Sequence, residues 1–181
     1  LSNMVALQNS AGITADEMGA LVEAFDTMGV GVEGAVSSVD DLADKARGLG
    51  LNVGTFLSTT AKNLKLVNSY GFKDGVEGLT RMVARAQALR IDMTKVQGLA
   101  ADLLNPEKAI ELAAEFQNLG GAFAGLGDAY QLMNLGQNDM EGLQNAIIDA
   151  TKASVQFNSQ TKRFEISALE MRRLRAVAEA T

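Results

Sequence analysis

The sequence predicts an all-α fold, an array of short helices joined by tight glycine corners, with one small β-hairpin near residues 155–166. Three observations predict it. A glycine followed by an apolar residue recurs at a spacing near twenty: Gly29, Gly50 and Gly71, then Arg90 in the glycine position, at intervals of 21, 21 and 19 residues. A fixed period of this kind describes architecture before it describes chemistry. Between the corners the apolar residues keep helical spacing, and only the stretch "SVQFNSQTKRFEIS" alternates apolar with polar in the manner of strands.

The phrase "LGLNVGTF" shows how a corner works. Gly50 stands just past a helix end, where a left-handed backbone is needed and a missing Cβ makes it easy. Leu51 packs back on the last turn near Ala46, Asn52 caps the next helix, and Leu51 staples to Phe56. One apolar residue so closes one helix and opens the next. The same grammar begins earlier, at Gly12, where Ile13 staples to Met18 and Thr14 forms a capping box with Glu17. It recurs in "MGVGVEGA" around Gly29. After Gly71-Phe72, Asp74 and Glu77 are a second capping box. In the fourth copy Arg90 takes the left-handed position at a conformational cost, Asp92 caps, and Ile91 staples to Val96.

Three apolar stripes lie between these corners. One runs from Val32 through Val39, Leu42 and Ala46 to Leu49; the next from Val53 through Phe56, Leu57 and Leu64 to Tyr70; the third from Val76 through Leu79, Met82 and Val83 to Leu89. Each is short and narrow, so each helix must stack on neighbours to be stable. Residues 1–104 therefore read as one helical array. Gly19, Gly34, Gly54, Gly78 and Gly98 fall inside its helices, where close approach of helices is the ordinary reason for a glycine.

Residues 105–181 read as a second helical subdomain. Asn105 caps, Pro106 occupies the first turn, Ile110, Ala113, Phe116 and Leu119 form a buried face, and Gly120 ends the helix. A flexible glycine-rich connection, "GAFAGLG", leads to a short helix from near Asp128 to a stop at Gly136. Asp139 caps another helix through about Ala153. Val155 and Phe157 then face Phe164 and Ile166 across a polar turn, and Ser167 starts a final helix that carries Arg172, Arg173 and Arg175.

The composition narrows the chemistry. The 181 residues contain no Cys and no His, which removes thiolate and His-dependent catalysis and the commonest metal ligand. The formal charge of −6 argues against a nucleic-acid partner. No phosphate-binding glycine loop, calcium loop or membrane-length apolar run is present, and the N-terminus does not read as a signal peptide. The acidic clusters at Asp40, Asp41 and Asp44 and at Asp139 and Glu141 read as solvated faces and caps. The expectation is no enzyme, no cofactor, no metal and no small-molecule substrate. Arg172, Arg173 and Arg175 are candidates for a partner-facing patch. The chain opens without Met and closes on helix-like "LRAVAEAT", so it reads as a segment of a longer protein.

The run "NPEKAIELAAEFQNLGGAFAGLGDAYQLMNLGQNDMEGLQNAIIDA", with "FEISALEMRRLRAVAEAT", resembles a segment of bacteriophage tail tape measure proteins. The likeness covers Asn105 to Thr181, with looser agreement upstream. It implies a virion structural protein, made in the host cytoplasm and resident in the phage tail, that helps set tail length and assembly and is released before genome delivery. Implied partners are copies of itself around the tail axis, the tail tube, a tail chaperone and the baseplate hub. The punctuated short helices depart from the long rods of that family and point to a compact part of it. The alternative is an internal or ejected virion protein acting in genome delivery or envelope penetration. A peptidoglycan-directed enzyme domain would need a carboxyl with a raised pKa in a cleft.

Overall fold

A computed structural model describes residues 2–153, 156–158 and 163–165. These are mostly helical, in keeping with the all-α expectation. The helices are α1 (Ser2–Ala11), α2 (Ala15–Phe25), α3 (Gly31–Gly48), α4 (Val53–Asn63), α5 (Lys65–Ser69), α6 (Gly75–Leu89), α7 (Met93–Asp102), α8 (Pro106–Leu119), α9 (Ala129–Asn138) and α10 (Met140–Ala153). A π-turn spans Asp26–Val30 and a 3-10 helix Gly121–Leu126. Two short strands, β1 (Gln156–Asn158) and β2 (Arg163–Glu165), pair antiparallel with Phe157 opposite Phe164. Val155, the connecting turn, Ile166 and the final helix expected from Ser167 lie outside the described residues.

Contacts divide the chain into two units, Leu1–Met93 and Thr94–Thr181. The boundary expected after residue 104 lies earlier because the end of α7 packs within the second unit. Leu103 and the carbonyl of Ala100 lie directly against Gly136 of α9.

In the first unit α2 packs on α3 and α4, α4 on α6, and α1 touches α2, α3 and α4. The core is aliphatic with a few large side chains: Met18, Leu21, Leu57, Leu79 and Met82 are fully enclosed. Three corners share one geometry. Gly12, Gly50 and Arg90 have φ of +69°, +69° and +57°. The next residue in each, Ile13, Leu51 or Ile91, donates its N–H to the carbonyl five residues back, at 3.3, 2.9 and 2.8 Å. At Gly50 and Arg90 the pivot also donates to the carbonyl of Arg47 or Gln87, completing a Schellman closure. Asn52 then accepts from the Thr55 N–H at 2.8 Å, opening α4.

The other corners differ. Gly29 (φ +86°) lies inside the π-turn and is followed by a second left-handed residue, Gly31 (φ +71°). At the third corner Gly71 is not the pivot. α5 ends on Tyr70 in extended conformation (φ −130°), and the left-handed glycine is Gly75 (φ +55°), at the start of α6. Asp74 makes no capping bond there, so the expected box with Glu77 is absent; its carboxylate meets Arg81 at 2.6 Å instead. The stripe expected from Val53 to Tyr70 also breaks at Leu64, between α4 and α5.

In the second unit α8 packs on the 3-10 helix and α9, and α10 on both of these. Asn105 accepts from the Glu107 N–H at 2.9 Å, Pro106 opens the helix, and Gly120 (φ +67°) closes it. The stretch expected as a flexible connection is ordered around apolar anchors. Phe123 is fully buried and stacks on Phe116, ring centroids 5.9 Å apart. Gly136 does not stop a helix. It is buried inside α9, where a Cβ would meet that of Leu103 at 3.0 Å, and the helix continues to Asn138. The buried face of α8 is Ala109, Leu112, Ala113 and Phe116; Ile110, expected in the core, is 61% exposed.

Candidate functional site

The polar side chains of the described residues mainly close helices and tie them together. The most connected is Glu17, in the first turn of α2. Its backbone N–H donates to the Thr14 hydroxyl at 3.2 Å, and its carboxylate receives the Thr14 N–H at 3.0 Å, forming the capping box expected from the sequence. The same carboxylate accepts the Ser58 hydroxyl of α4 at 2.6 Å and lies 3.3 Å from Lys62. The Ser58 bond first, then the Thr14 N–H, hold its pKa at about 2 against an ordinary 4.5, with burial opposing and Lys62 assisting. That displacement runs opposite to what a general acid requires.

The acidic clusters resolve into separate small roles. Asp44 pairs with Arg47 one turn on, and Asp139 accepts from the Gly142 N–H at 2.8 Å to cap α10. Among the described residues no group of three or more acidic side chains is arranged to hold a metal ion. No described helix is long and apolar enough to cross a membrane.

Two open clefts mark the first unit. One of about 490 Å³ lies between α1 and α3, with Ser10, Glu33, Asp40 and Arg47 on its walls. The other, about 510 Å³, is more apolar, lined by Ala24, Met28, Leu64, Val67 and Val76 with Lys65 and Asp74 at its polar edge. In the second unit Gln144 is buried in α10, and neither amide atom has a hydrogen-bond partner among the described residues.

Exposed apolar side chains gather at the helix ends. Met28, Val30 and Val32 follow one another around the π-turn, and Leu49 and Leu89 each precede a left-handed pivot. Leu49 and Val32, read in the sequence as parts of a buried stripe, face solvent because α3 buries Ala35, Val39, Leu42, Ala43 and Ala46 instead. Sequence reading missed one further surface, the outer face of α8. There Glu107, Glu111, Ile110 and Ala114 are all exposed, as is Glu115 one turn on. The glutamates at i, i+4 and i+8 were the available signal. Arg172, Arg173 and Arg175 lie outside the described residues. No known protein family, curated protein or solved structure matches this chain.

Proposed function

We propose that this chain is a compact helical segment of a phage tail tape measure protein, a virion structural component that works by contact rather than by turnover. It would help set tail length and assembly and leave the tail before the genome does. The observation that carries the proposal is the resemblance of Asn105–Thr181, whose phrases correspond to physical features: the Asn105 cap with Pro106 behind it, the Gly120 ending, and the Asp128 and Asp139 caps. Support also comes from apolar side chains left at the surface of both units, Met28, Val30 and Val32 in one and Ile110 in the other, which suit contact with partner surfaces. The partners would be copies of the chain, the tail tube, a tail chaperone and the baseplate hub.

Mass spectrometry of purified tails tests the reading directly, with peptides from residues 1–181 expected at a few copies per tail. An in-frame deletion of this segment is expected to yield shortened tails or none. Tails that lack the polypeptide, or a deletion that leaves tail length and assembly unchanged, would overturn the proposal.

A further inference from the structure

We infer that the outer face of α8 seats the Arg172–Arg175 segment of a second copy of this chain. The inference deepens the reading above, because it rests on copies of the chain meeting one another and names the surface that meets.

The face is a ridge with an apolar edge and an acidic row. Ile110 is 61% exposed and Ala114 follows it on the same side. Beside them Glu107, Glu111 and Glu115 run along about 12 Å of helix. The cation within that turn, Lys108, is directed to Asp102 rather than to these glutamates. Complementary chemistry occurs in the chain itself. Residues 94–153 carry eight acidic and three basic side chains, whereas residues 154–181 carry three acidic and five basic ones. Three of those five fall together in "RRLR".

The physical terms favour this pairing. One exposed ion pair is worth little, but several arginines close in sequence meeting a row of carboxylates offer more than one bidentate contact. Covering the exposed Ile110 adds an apolar contribution that salt does not screen. Within one copy the Ile110 face is open to solvent. A contact between two different surfaces is heterologous, so successive copies close into a ring or continue as a filament. Either suits a chain repeated around an axis.

The test uses the full chain with two charge reversals, Glu111→Arg and Arg173→Glu, both checked for unchanged helical content by circular dichroism. Sedimentation velocity over a concentration series reads self-association. The wild-type chain is expected to associate, more weakly at high salt. Each variant alone is expected to lose at least tenfold in association. An equimolar mixture is expected to recover it, because the arginine introduced into α8 of one copy then meets the glutamate introduced into the C-terminal segment of the other. Variants that associate like the wild type, or a mixture that recovers nothing, would overturn the α8 assignment while leaving the tail reading to the virion experiment. A wild-type chain that stays monomeric throughout would overturn the assignment as well.

Discussion

The first unit contains two kinds of corner, and their sequences look alike. At Gly12, Gly50 and Arg90 the chain makes a tight turn, in which the pivot is left-handed and the next apolar residue sends its N–H five residues back. At Gly29 and around Gly71–Gly75 the turn is open. Gly29 sits in a π-turn with Met28, Val30 and Val32 exposed around it, and the third corner places its left-handed residue at Gly75. The tight corners are thirty-eight and forty residues apart, so the geometric repeat is about twice the spacing of the sequence phrase. What separates the kinds is backbone closure rather than burial of the anchor. Ile13 after Gly12 is buried, but Leu51 and Ile91 at the other tight corners are only half-buried, as is Phe72 after Gly71. A glycine permits the left-handed turn; the backbone bond to the carbonyl five residues back marks where it closes.

The largest expected effect tests how closely helices meet at a tight corner. Gly54 follows the Asn52 cap, and a Cβ there would be driven into the Ala11 carbonyl oxygen at the end of α1. Gly54→Ala is expected to cost about 3 kcal/mol in urea unfolding, the upper part of the range for overpacking against backbone.

Next comes the tie between the first two tight corners. Ser58→Ala removes the hydroxyl that Glu17 accepts and is expected to cost about 2 kcal/mol at neutral pH, as for a hydrogen bond to a charged group. The folded pKa of Glu17 is lowered, so its contribution is complete above about 4.5 and is lost as pH falls toward about 2. The wild type is therefore expected to lose stability across that window. Glu17→Gln, already weaker at neutral pH, should lose less over the same interval in thermal melts. An equal acid loss in both would separate Glu17 from the corner's stability.

A pair of substitutions then compares the pivots. Gly50→Ala places a Cβ on a residue with φ +69° and open surroundings, so strain alone should cost about 1–2 kcal/mol. Arg90→Gly relieves the same strain at φ +57° and is expected to gain about 1 kcal/mol. If Arg90→Gly destabilises, the arginine side chain contributes more than its backbone costs. The smallest effect belongs to a glycine with no role in any corner. Gly19 lies inside α2, and a Cβ added there would meet nothing within 4 Å, so Gly19→Ala should gain about 0.5–1 kcal/mol by calorimetry.

The helical class, the caps at Thr14, Asn52, Asn105 and Asp139, the left-handed residues Gly12, Gly50 and Arg90, and the helix end at Gly120 were legible in the sequence. These are local: a cap or a pivot depends on a few adjacent residues and their backbone bonds. Which face of each helix is buried, why Gly136 lies within a helix, and how Phe123 orders a glycine-rich stretch by stacking on Phe116 were settled by packing. Nor could spacing alone place Ile110 outside the core, since Ile110 and Ala113 both fit a helical stripe and the neighbours of α8 select between them. Burial is settled by what packs opposite, and that information lies in distant parts of the chain.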